Sequence, residues 1–189
     1  MTDIMDILTS GFFWGVVVGV ALSILGAYAG ARFTIKAQND EHRRRTRNFS
    51  IELVENVRKV VDELDDHRTR SRIIFHDFLA LLDTEISIYG RNRESFILLD
   101  RNTRTTIQKF MSDAAIRRAE IAQHLLNVQN ASDRADHHRS ANLPLQAQVA
   151  EDAVSTELDS AHKAVDRLVQ VAARSQDVVA QIVKDKDGF

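Results

Sequence analysis

The sequence predicts an all-α protein: a single N-terminal transmembrane helix followed by a long-helix antiparallel bundle or coiled coil. Three observations carry this reading. Residues 12–31 contain no charge, only Gly90, Pro144 and Gly188 interrupt helical propensity beyond them, and the apolar residues that follow recur at alternating spacings of four and three. The 189 residues leave room for one ordinary domain besides the uncharged run. Four segments result: a short non-cytoplasmic tail over 1–10, the transmembrane helix over 11–33, a basic juxtamembrane segment over 34–48 and a cytoplasmic helical bundle over 49–189.

The uncharged run reads GFFWGVVVGVALSILGAYAG from residue 11 and holds five of the chain's seven glycines. At about 1.5 Å per residue, twenty helical residues span the ~30 Å hydrocarbon core of a bilayer. Phe12, Phe13 and Trp14 cluster at one end of it, Tyr28 and Phe33 near the other, as interfacial aromatics do. Gly11, Gly15, Gly19, Ser23, Gly26 and Gly30 are spaced by four or three and form one small-residue stripe. In a bilayer such a stripe lets a second backbone approach closely, so the expected partner is another copy of the helix in a homo-oligomer. A cleaved signal peptide is the competing reading; the acidic start, with Asp3 and Asp6, and the length of the run argue against it.

Charge sets the orientation. The net charge of -2 conceals a basic segment with Arg32, Lys36, Arg43, Arg44, Arg45 and Arg47 against only Asp40 and Glu41. The positive-inside bias places this side, and everything after it, in the cytoplasm of the cell (inner or plasma) membrane, with the N-terminus outside. Anionic headgroups are the natural partners of these side chains. Nucleic acid is disfavoured, because residues 48–189 carry 19 basic against 23 acidic residues and no aromatics interleave the arginines.

Three long helices are expected, packed as an elongated three-helix or four-helix bundle, with intermolecular coiled-coil pairing as the alternative. The first, over about 48–89, presents Leu53, Val57, Val60, Leu64, His67, Ser71, Ile74, Phe78 and Leu81, with Val54, Val61, Phe75 and Leu82 widening the stripe and Gly90 ending it. RNRESFILLD carries no clear period. A second helix is expected over about 102–130, capped by Asn102 or Thr103, with Ile107, Phe110, Met111, Ala114, Ile121, Leu125 and Val128 inward and Arg118 spoiling one stripe position. ASDRADHHRSANLP reads as a polar connection, and Pro144 suits a first helical turn. The third helix, over about 144–184, has the cleanest packing seam: Val154, Leu158, Ala161, Val165, Leu168, Ala172, Val179 and Ile182, with Ser175 also on it.

Chemistry is sparse. The chain lacks cysteine, which excludes disulfides and thiolate metal sites, and it has neither a phosphate loop outside the span nor a nucleophile elbow. Glu63 with His67, Glu120 with His124 and Asp159 with His162 are acid–histidine pairs, but the first two have spacing four rather than the Glu-x-x-His spacing of dinuclear bundles. No catalytic residue, metal or cofactor is therefore expected. The function that fits is a membrane-anchored, non-enzymatic scaffold or regulatory protein acting through self-association and an unidentified protein partner. The alternatives are an oligomeric effector that permeabilises the membrane through its glycine-striped span, and a metal-dependent bundle enzyme.

Overall fold

The computed structural model describes residues 11–67 and 74–184, excluding the side chains of 11–17, Ala21, His67 and Ile74. The expected tail over 1–10, the stripe position Ser71 and Gly188 lie outside the described residues, as do the side chains of Phe12, Phe13 and Trp14. Helix covers 96 % of what is described and no strand occurs there, so the class is all-α. The chain divides into two compact units, Met1–Arg45 and Thr46–Phe189.

Helix α1, Gly11–His67, contributes to both units. In the first unit every residue from 22 to 42 is exposed. By length and composition, helix α1 holds a part long and apolar enough to cross a membrane.

The second unit is a helical bundle made from residues 46–67 of α1, α2 (Ile74–Arg91), a 3₁₀ segment (Arg93–Leu98), α3 (Arg101–Ser140), α4 (Pro144–Ala173) and α5 (Ser175–Lys184). Each element sends side chains into one core. Val54, Val57 and Val61 come from α1, Phe75 and Leu82 from α2, Phe96 from the 3₁₀ segment, Ile107 and Ile121 from α3, Val165 and Leu168 from α4, and Ile182 from α5. Four of the expected first-helix positions, Leu53, Val57, Leu64 and Phe78, are buried. Val60 is half-buried and Leu81 exposed. Among the described residues the expected helix over 48–89 is thus two elements, the end of α1 and α2, and each turns its own residues to the core, Leu79 and Leu82 in place of Leu81 on α2.

Three boundaries differ from expectation. Gly90 does not end its helix: α2 continues to Arg91, and Gly90 has no positive φ. The cap of α3 lies upstream of Asn102 and Thr103, at Asp100, whose carboxylate accepts from Asn102 N at 2.7 Å and Thr103 N at 3.0 Å. The polar stretch after residue 130 is not a connection. It is the last part of α3, which runs to Ser140 and leaves only residues 141–143 outside a helix.

That turn has a clear physical basis. Asn142 takes φ 57°, Asn142 N donates to Arg139 O at 3.1 Å, and Leu143 N donates to His138 O at 2.9 Å. These are the paired bonds of a Schellman ending, with asparagine at the left-handed position and Pro144 opening the next helix. The chain reverses, and α3 and α4 run antiparallel. Cross-links between them confirm the register: Arg139 to Glu151 at 2.5 Å, His124 to Glu157 at 2.7 Å, and Arg167 to Glu120.

At its far end the hairpin changes character. Ala131 and Ala135 face Ala147 and Ala150, all buried, so two helices meet on small residues there rather than on branched ones. The polar look of the segment follows from this. An alanine contact face leaves few large apolar residues in the sequence to betray it. The expected third helix is interrupted once, at Arg174, without loss of register: Ala172, Ser175, Val178 and Ile182 stay buried across the break.

Candidate functional site

The residues singled out from the sequence fall into three places. The first is the glycine stripe on α1. Gly11 and Gly15 are helical, and their surroundings lie outside the described residues. A Cβ added to Gly19, Gly26 or Gly30 would meet nothing within 4 Å. Nothing else in the described chain occupies that face. Ser23 Oγ donates to Gly19 O at 2.9 Å and Thr34 Oγ1 to Gly30 O at 2.9 Å, so both hydroxyls are satisfied within the helix itself. That self-sufficiency is what hydrocarbon requires of a polar side chain.

The second place is the basic segment. Arg32, Lys36, Arg44 and Arg45 are exposed, and Arg43 and Arg47 are half-buried. Arg45 Nε donates to Glu41 Oε1 at 2.9 Å one turn away, an exposed pair of small energetic weight. Asp40 and Glu41 are the only acids on this stretch, so it presents a positive surface.

The third place is the seam of α4 and α5. Ala161, Val165, Leu168, Ala172 and Ile182 are buried, while Val154, Leu158 and Val179 are half-buried. Within this one chain, α1, α2 and α3 supply the residues that share a core with Val165, Leu168, Ala172 and Ile182.

Two of the acid–histidine pairs, Glu120 with His124 and Asp159 with His162, separate. Glu120 does not hold His124; it accepts from Arg117 Nη1 at 2.7 Å and from Arg167 of α4, and the Arg117 hydrogen bond leads the effects that lower its pKa. His124 Nδ1 donates instead to Glu157 Oε2 at 2.7 Å, and that bond, with a second from Asn127, holds the Glu157 carboxyl below the ordinary carboxylate value. His162 lies beside Phe75, ring centroids 6.1 Å apart, while Asp159 is exposed. His67 belongs to the side chains left undescribed. Arg118, the misfit in the α3 stripe, reaches across to Asp83 of α2, which explains how a charge is tolerated beside the core. Among the described residues, no three histidine or carboxylate side chains gather in a way that could hold a metal.

One surface was not legible from the sequence. The turn between α3 and α4 exposes Leu143, Leu145 and Val149, the last two at 79 % and 69 %. Leu145 and Val149, with Arg134, His138 and Ala153, border a shallow cavity of about 340 Å³. Large aliphatic side chains so fully in water mark a contact surface more often than scattered single residues do. The signal present in the sequence was the Asn-Leu-Pro turn, which sets the two helix ends side by side. No family model, curated protein or solved structure matches the chain.

Proposed function

We propose that this chain is a membrane-anchored, non-enzymatic helical protein that acts as a scaffold or regulatory subunit through self-association and a protein partner. The observation that carries the reading is the uncharged, exposed part of α1 over residues 22–31, followed at once by a basic segment that begins at Arg32. In water, such a surface would be a large uncompensated apolar exposure; in a bilayer it is the matched one. The N-terminus then lies outside and the bundle in the cytoplasm of the inner or plasma membrane. The open face at Gly19, Gly26 and Gly30 supports association of spans, and the aliphatic tip around Leu145 supports docking of a partner protein.

Two measurements on the full-length protein test this. The chain is expected to stay in the membrane fraction through an alkaline carbonate wash and to cross-link to itself. Replacing Gly19 and Gly26 together by Leu is expected to reduce that cross-linking severalfold, since the bulky side chains keep a second backbone from approaching closely. Release by the wash would overturn the anchor; unchanged cross-linking would leave the span as an anchor alone. The same open stripe favours a second reading, a pore-forming oligomer. Leakage of dye from vesicles that contain the full chain would select it.

A further inference from the structure

The segment RNRESFILLD, which has no readable period, folds into a surface of defined chemistry. Asn92 Nδ2 donates to Ile88 O at 2.8 Å and closes the end of α2, and Ser95 N donates to Asn92 O at 2.9 Å to start the 3₁₀ turn. The tighter turn points Phe96 and Leu99 inward, at 1 % and 4 % exposure. Phe96 is packed against Tyr89, ring centroids 5.2 Å apart, and Phe49, at 6.1 Å. With these anchors in place, Ile97 and Leu98 point outward, and Ile97 is 65 % exposed.

Arginines surround this pair. Arg91, Arg93 and Arg104 line a cavity of about 480 Å³ together with Tyr89, Phe96, Ile97 and a single carboxylate, Glu94, so the lining keeps a net positive charge, and Arg101 stands on the adjoining first turn of α3. Among the described residues none of these four guanidiniums has an ion-pair partner. The Phe49–Phe96 contact also fixes where the surface lies within the second unit: at the end where the chain enters it, three residues after Thr46.

We infer that Ile97 and Leu98, flanked by Arg91, Arg93, Arg101 and Arg104, form a second contact with an anionic phospholipid surface. Aliphatic side chains enter the headgroup region while guanidiniums bind its phosphates, the division of labour of interfacial membrane binders. Nucleic acid fits less well, because the exposed side chains are aliphatic rather than stacking aromatics and the unit as a whole carries more acids than bases. A weak surface suffices, since tethering through α1 holds the bilayer at high effective concentration. The inference rests on the membrane-anchored reading.

The chain has no cysteine, so Ile97→Cys accepts a single polarity-sensitive dye. The labelled full-length protein is reconstituted into vesicles of phosphatidylcholine alone or of phosphatidylcholine and phosphatidylserine in a two-to-one ratio, and flotation and iodide quenching are read together. The expected result is flotation with both vesicles and a dye shielded from iodide only in the anionic ones. High salt is expected to reverse the shielding in the otherwise unaltered chain, and combined replacement of Arg91, Arg93 and Arg104 by Gln to weaken it on the order of a hundredfold. Flotation with the dye equally quenched in both vesicles overturns the lipid surface and leaves the anchor standing. Failure to float removes the anchor and this inference with it. Shielding by inorganic phosphate without vesicles assigns the cavity to a soluble anion and overturns the lipid contact.

Discussion

At the scale of single residues, polar side chains decide details that apolar spacing does not reach. Asp100 caps α3 because its carboxylate can accept two backbone N–H groups at once, and the Thr103 hydroxyl, fully buried, also donates to it. Asn102 and Thr103 looked like caps for the same chemical reason. Only the backbone path selects among three adjacent candidates. The Glu157–His124 bond has a consequence for pH. A carboxyl whose folded pKa lies below its ordinary value contributes stability above that value and loses it as pH falls through the folded one. The melting temperature of the full-length protein is therefore expected to fall on acidification below about 4.5, the ordinary value for Glu157. In Glu157→Gln that acid-side decline should be shallower, with the neutral-pH helix content unchanged. An identical acid profile in the two proteins would remove the bond from the stability of the hairpin.

The elements show why helix ends were harder to place than helices. Gly90 and the polar run after residue 130 both looked like stops, and neither is one. A glycine in a helix with open space around it costs only part of a kilocalorie, which neighbouring packing at Tyr89 offsets. The polar run stays helical because Ala131 and Ala135 give it a dry face against Ala147 and Ala150. The real stop is Asn142, whose φ of 57° few residues adopt cheaply. Asn142→Val is expected to destabilise the chain by about 1–2 kcal/mol in urea unfolding, and Asn142→Gly to leave it unchanged or slightly more stable. Equal effects from the two would mean that the turn is held by the flanking helices rather than by the residue at its corner.

For the whole molecule, the division into a unit of exposed apolar helix and a unit of packed helices governs what can be asked of the chain. Orientation is the property that depends most on the whole. The proposed orientation rests on an acid-only stretch before the uncharged run and the arginine cluster after it. A reporter fused to the C-terminus is expected to read as cytoplasmic. Replacing Arg43, Arg44, Arg45 and Arg47 by Gln should shift a measurable fraction of molecules to the opposite orientation. A fully external C-terminus in the unaltered protein would reverse the assignment of both units.

Helical class, the apolar run and the inward residues of α4 were readable from order of residues alone, because period and charge are local properties of a chain. Val165, Leu168 and Ile182 needed no neighbours to be recognised as a seam, since helical geometry brings them to one face. What covers that seam, which acid holds His124, where α3 turns, and which way Ile97 faces came from contacts between residues far apart in sequence. Those contacts depend on which helices pack together and at what register, and alanine faces, asparagine corners and arginine rims leave only weak periodic marks. Tertiary packing turned an aperiodic segment between two helices into an aliphatic surface ringed by arginines, because burying Phe96 and Leu99 forces Ile97 and Leu98 into solvent.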